Sequence, residues 1–260
     1  MSSLEPGDAA AYLRQHKARI VRTLSLLPLG DGRLRALELG SYLHMAAAME
    51  RVLDYRSVRP AYYGPPRRDI KTLAISGQPA FTAEIDLFDA ESDPFPYADS
   101  SFDLVLCCEL IEHLVHDPMH MLLECGRVLA DNGLLMLTTP NAASLMSVAA
   151  TLGGKHNPQV FSQYPPRGNR DTPHVREYTP FEIIQALRAA GFEIENLITE
   201  RMDGAQHSTW VLDILTANGF DTSLRGEQIY CLARKSQSGA GERFPPFLYS
   251  VSEPHPRTGH

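Results

Sequence analysis

Long hydrophobic runs are missing from this 260-residue sequence. No window is apolar enough to cross a bilayer, so a soluble protein is expected. Basic charge is also short: 24 Lys and Arg stand against 31 Asp and Glu, a net charge of -7. That balance disfavours a broad nucleic-acid-binding surface, although Arg67-Arg68 could form a local basic cluster. The opening residues, MSSLEPGDAA, lack a basic start followed by an apolar core, so no secretory signal is read. The four cysteines, Cys107, Cys108, Cys125 and Cys231, form no CxxC pair, and three lie in apolar segments. Buried free thiols in a reducing, cytoplasmic setting are expected rather than a disulfide or a zinc site. No internal repeat is present. The dinucleotide pattern GxGxxG is absent too, because Tyr42 stands where its second glycine would be, and a dehydrogenase is disfavoured.

What is present is ordinary globular composition, 43% hydrophobic and 21% charged, enough for one main domain. Asp8 could cap a first helix in which Leu13, Ile20, Leu24 and Leu27 recur at helical spacing, with Pro28 and Gly30 as stop signals. LRALELG, 34–40, reads as a buried strand ending in glycine, and the Ala- and Met-rich run from Tyr42 to Leu53 as the helix that leaves it. RPAYYG, KTLAISG and FTAEIDLFD each read as short strands. A turn-rich stretch then feeds the apolar strand Phe102 to Cys108. Asp117-Pro118 predicts an N-cap and first-turn proline for a helix through Leu129, which Asn132-Gly133 should end before the strand LLMLTTP. Strands alternating with helices imply an α/β protein with a mostly parallel sheet covered on both faces.

From 142 to 180 the composition shifts to Pro, Phe and Tyr, which predicts a cover over a site that moves or orders with ligand. Thr179-Pro-Phe-Glu182 is a capping box for a further helix closed by Gly191. FEIENLIT and QIYCLARK supply two late strands. The organisation read is an N-terminal helix in 1–30, one domain over 31–235 containing the cover, and a loose tail over 236–260.

The order FDAESDPFPYADSSFDLVLCCELIEHLVHDP, then RVLADNGLLMLTTPN, resembles class I S-adenosylmethionine-dependent methyltransferases, from about Leu34 to Lys235. The group includes ubiquinone-type O-methyltransferases and bacterial enzymes encoded with glycan biosynthesis, and HVREYTPFEIIQALRAAGF looks like the latter. The resemblance implies a Rossmann-like, mostly parallel seven-stranded sheet and S-adenosylmethionine as cofactor. Carried over, Glu38, Gly40 and the adjoining Ser41 meet the methionine end of the cofactor, Phe88 and Asp89 its adenine, and Cys108 and Glu109 lie beside its sulfonium. One departure stands out: the second strand, which in the family ends in an acid for the ribose, here offers Tyr62, Tyr63 and Gly64.

If ELIEHL makes a helical turn, Glu109, Glu112 and His113 sit at i, i+3 and i+4 and share a face. With His174 from the cover segment they form a mixed carboxylate and imidazole set suited to Mg, Mn or Zn. A metal-free general base, His113 or His174, and a purely structural turn are the alternatives. The set resembles the metal site of small-RNA 3'-terminal 2'-O-methyltransferases and, in its first three members, the ubiquinone enzymes, which implies a metal that holds substrate hydroxyls. Tyr164, Arg176 and Tyr178 are expected to line the acceptor site, with Glu177 beside them either lining it or pairing with a neighbour of Arg176. The reading is methyl transfer to a hydroxyl of a small polar acceptor, a sugar or glycan unit. Alternatives are a quinone, catechol, nitrogen or carbon nucleophile, an RNA 3' end, or a catalytically silent cofactor-binding partner subunit. Small-molecule partners are favoured over nucleic acid.

Overall fold

A computed structural model describes residues 6–154, 174–201, 209–236 and 241–249. The elements in chain order are α1 (Pro6–Ser25), β1 (Arg35–Leu39), α2 (His44–Arg51), β2 (Ser57–Tyr62), β3 (Arg67–Leu73), β4 (Phe81–Leu87) and β5 (Phe102–Cys108). A 3-10 turn (Ile111–His113) follows, then α3 (Pro118–Val128), β6 (Leu129–Pro140), α4 (Leu145–Leu152), α5 (Pro180–Ala189), β7 (Phe192–Glu200), α6 (Thr209–Ala217) and β8 (Gln228–Lys235).

The strands form one eight-stranded sheet in the order β3-β4-β2-β1-β5-β6-β8-β7. β4, β2, β1, β5 and β6 pair in parallel, while β3 and β8 run against their neighbours. The α/β expectation therefore holds, with one strand more than the seven implied. The extra strand is β3, and it lies at Arg67–Leu73 rather than at the expected KTLAISG. It pairs as a hairpin with β4 where a crossover helix would otherwise run.

Strand alternation explains why both faces are covered. Leu37, Val105 and Cys107 point into a cluster with α3 and α5, including Met121, Leu122, Ile183 and Leu187. Ala36, Leu104 and Leu106 point the other way, against Ile20 of α1 and Met45, Ala46 and Met49 of α2. The helix starts follow the sequence closely. Asp117 accepts from the His120 amide with Pro118 behind it, and Thr179 and Glu182 close a reciprocal capping box. Two boundaries differ. The first helix begins at Pro6, so Asp8 lies inside it rather than at its cap. α3 ends at Val128 and the chain enters β6 at once, so Asn132, with φ 60, and Gly133 bulge within that strand instead of stopping a helix.

Within the span expected to be a loose tail, residues 241–249 dock on the domain. The Glu242 amide donates to the Ala189 carbonyl at 2.6 Å, Phe247, Leu248 and Tyr249 pack against the core, and Arg243 pairs with Asp117. At the other end of the sheet, a Cβ on Gly226 would lie 2.5 Å from the backbone nitrogen of Glu200. Gly226→Ala is thus expected to cost about 1–3 kcal/mol, read as a lowered urea midpoint with an unchanged slope.

Candidate functional site

In an open, mainly parallel sheet the crevice lies at the carboxyl ends of strands where the order reverses, here between β1 and β5. Two groups of side chains meet there. The first surrounds a narrow cleft of about 30 Å³ lined by Arg19, Ile20 and Thr23 of α1, Glu38, Gly40, Tyr42, His44, Cys108 and Glu109 among others. Gly40 turns the chain with φ +69, and no atom lies within 4 Å of where its Cβ would be, so the turn leaves room for a ligand against the backbone. Glu38 is buried; its Oε2 accepts from Ser41 Oγ at 2.7 Å and from the Ala46 amide, in the first turn of α2, at 3.1 Å. Burial outweighs those hydrogen bonds and lifts its pKa to about 7.

Glu109 has φ 51, and this left-handed residue turns the chain out of β5. Its side chain points back to the cleft. Oε1 accepts from Thr138 Oγ1 at 2.8 Å and Gln228 Nε2 at 2.7 Å, and Oε2 from Arg19 Nη1 at 2.7 Å. Arg19 and Glu109 are each only 12% exposed, so α1 is held across the cleft by a largely desolvated pair. Replacing Arg19 with Ala is expected to raise amide exchange through α1 at least about tenfold, because Glu109 would then be buried without its cation. Exchange at wild-type rates would show that α1 is held by packing alone.

The second group lies beyond the turn. Glu112 is fully buried, with Oε2 accepting from Thr139 Oγ1 at 2.9 Å. Among the described residues its Oε1 has no hydrogen-bond partner, with His113 Nε2 4.0 Å away, and burial, aided by the nearby Glu109 charge, holds its pKa well above the carboxylate range. The Glu112 carbonyl accepts from the amides of Val175 and Arg176 at 2.7 and 3.2 Å, and this places His174 over it. The His113 and His174 rings meet edge to face, centroids 4.9 Å apart. One ligand atom each from Glu112, His113 and His174 lies within 4.8 Å of the others. His174 Nδ1 is 3.1 Å from Glu177 Oε1. A carboxylate there selects the Nδ1–H tautomer and leaves Nε2 as the lone-pair nitrogen, the arrangement found around metal-bound or basic imidazoles.

Three of the four expected ligands are thus brought together and one is not. Glu109 belongs to the cleft beside Gly40, because the chain makes a left-handed residue and a 3-10 turn rather than the α-helical turn that would put it on the same face. Gly40, Cys108 and Glu38 line the cleft, and Ser41 sits behind it, bonded to Glu38. Phe88 is a core residue whose ring packs at a tilt against Phe95, with centroids 4.9 Å apart. Asp89 shapes its own loop, its Oδ1 accepting from the Glu91 amide at 2.9 Å. Tyr178 is 2% exposed and packs in the core, and Arg176 lies against its ring and bonds Glu182 at 2.7 Å. Tyr164 and most of the cover fall outside the described residues. Sequence reasoning missed Arg19, Thr138 and Gln228, which reach Glu109 from distant elements; Glu177, read from the sequence with Arg176 and Tyr178, lies beside His174.

A family model described as a methyltransferase domain matches residues 11–197. Among curated proteins, the ubiquinone biosynthesis O-methyltransferase of Thiobacillus denitrificans is 30% identical over 96 residues, 37% of this chain and 38% of that protein. The enzyme of the same name from Xanthomonas oryzae is 33% identical over 98 residues, again 37% of this chain and 38% of the relative. The match thus spans under two fifths of the length of these relatives. A solved S-adenosylmethionine-dependent methyltransferase of Thermotoga maritima superposes with a TM-score of 0.51 at 16% identity, covering 88% of this chain and 96% of that one.

Proposed function

This chain belongs to the methyltransferase domain family, and on that premise we propose that it transfers a methyl group from S-adenosylmethionine to a hydroxyl of a small polar acceptor, a sugar or glycan unit. The observation that carries the acceptor half is the buried Oε1 of Glu112, without a hydrogen-bond partner among the described residues, beside two imidazoles. A carboxylate is not left dry and unbonded without a compensating charge or proton. Glu112, His113 and the Nε2 of His174 are the groups that would hold a divalent cation, a donor set fitting Mg, Mn or Zn. The cofactor half rests on the open turn at Gly40 and the acid Glu38 beside it.

When bound, S-adenosylmethionine supplies an electrophilic methyl carbon, and a divalent cation supplies a positive centre for acceptor oxygens. The chain's own part is alignment and proton control. Glu38, as carboxylate, accepts hydrogen bonds from the cofactor's ammonium, and Gly40 lets that end approach the backbone. Arg19 and Glu109 close the cleft from α1 and exclude water. Glu112, His113 and His174 fix the accepting hydroxyl for in-line attack. A second, metal-free reading is favoured by the His174–Glu177 contact, in which Nε2 of His174 takes the hydroxyl proton while Glu177 steadies the imidazolium. A quinone or catechol acceptor fits the same site, and the names of the two curated relatives point that way. The acidic net charge argues against an RNA acceptor.

The test is a screen of sugar, phenolic and RNA acceptors with methyl-labelled S-adenosylmethionine, with and without Mg, Mn or Zn. Label on a sugar hydroxyl is the expected result. Label on phenols alone moves the acceptor to the quinone class, and no binding of S-adenosylmethionine or its demethylated product at millimolar concentration removes the enzyme reading.

A further inference from the structure

β3 is the end strand of the sheet: β4 takes one edge, and among the described residues no strand takes the other. The Ile70 amide donates to Oδ1 of the preceding Asp69 at 2.8 Å, so it faces away from β4. By the alternation of an antiparallel ladder, the amides and carbonyls of Arg68 and Thr72 face the same open edge. Ile70 itself is 66% exposed, an apolar side chain flanked on both sides by the charged and polar residues Arg67, Arg68, Asp69, Lys71 and Thr72.

We propose that this edge pairs antiparallel with the same edge of a second copy of the chain, about a two-fold axis at Ile70. The charge order selects both the partner and the register. Centred on Ile70, Asp69 of each copy stands opposite Lys71 of the other, Arg68 opposite Thr72, Arg67 opposite Leu73, and Ile70 meets Ile70. Residues 68, 70 and 72 supply the hydrogen-bonded pairs, and Asp69 with Lys71 falls at the non-hydrogen-bonded positions where side chains approach most closely. Sliding the register so that Lys71 is central sets Lys71 against Lys71, and centring on Asp69 sets acid against acid and Arg67 against Lys71. Edge charges usually prevent such pairing; here they block the neighbouring registers and leave one complementary arrangement. The result is an isologous dimer with a continuous sheet.

Sedimentation velocity of the 260-residue chain from about 1 to about 200 µM tests this, a range suited to a small interface. The expected result is a weight-average mass that climbs from 28.8 kDa toward twice that value. Asp69→Lys and Lys71→Asp should each weaken the dimer about tenfold or more, and the double swap D69K/K71D should restore it to within about threefold. Lys71 also lies over the Tyr62 ring, 4.9 Å from its centroid, so its loss could loosen β3 directly. Ile70→Asp, at an exposed position, sets two carboxylates face to face and should dissociate the dimer without that complication. A monomer at every concentration, dimerisation unchanged in Ile70→Asp, or a double swap no tighter than the single ones would overturn the proposal.

Discussion

Glu112→Gln is expected to lower methyl transfer about 10²–10⁴-fold while S-adenosylmethionine affinity stays nearly unchanged. The amide keeps the shape of the carboxyl and its bond with Thr139, and a neutral group suits so dry a site, so folding should survive. What is lost is the only carboxylate of the three-residue cluster. Because burial holds the Glu112 pKa high, a divalent cation must displace a proton to bind, and its affinity should rise with pH. Manganese titration of the wild type at pH 6 and pH 8 should show this, with tighter binding at pH 8, and Glu112→Gln should bind little manganese at either. A chelator should reproduce the loss reversibly. Full activity in excess chelator would leave His174 with Glu177 as a simple base.

Glu38 should make the free protein less stable as pH rises. Its pKa is about 7 in the folded chain, raised by burial from the ordinary 4.5. Below the unfolded value both states are protonated and the contribution is complete. Between the two values only the unfolded chain gives up the proton, so stability falls as pH climbs, and it levels off above the folded pKa with a total loss of about 3 kcal/mol. Glu38→Gln should flatten this slope, as read by urea unfolding at pH 5 and pH 8. S-adenosylmethionine should reverse the balance, since its ammonium favours the carboxylate. Binding at pH 6 is therefore expected to release a proton, seen as a buffer-dependent heat, and affinity should increase toward pH 8. Heats independent of buffer would mean that Glu38 does not meet the cofactor's amine.

The elements were legible where local chemistry decides them. Asp117-Pro118 and Thr179-Pro-Phe-Glu182 carry their own capping bonds, and the apolar strands β1, β5 and β6 are buried as their composition demands. The cluster was legible in membership but not in geometry. Nothing in ELIEH announces that Glu109 will be left-handed, and that one dihedral sends its carboxylate to a different site. The Arg19–Glu109 pair spans 90 positions of sequence, beyond any spacing argument. β3 was misplaced because its residues are mostly exposed and charged, so neither alternation nor an apolar run marks its ends. For Tyr178, an aromatic beside His174 suggests a site lining, while its backbone bridge to Asn141 carries the ring into the core.

The position of β8 between β6 and β7 bears on the order in which the molecule can complete itself. As the chain is synthesised, β1 meets β5 and β6 early, and both acidic turns exist by the time α3 has emerged. β7 then has no partner, because the strand it pairs with is the last to be made. Insertion of β8 joins that strand to the sheet and brings Gln228 to Glu109 in the same event. A nascent chain that ends within α6 would therefore carry Glu38, Glu109, Glu112, His113 and His174 with Glu109 still lacking its bond from Gln228, so under the proposed function ligand capture would be coupled to the pairing of β8.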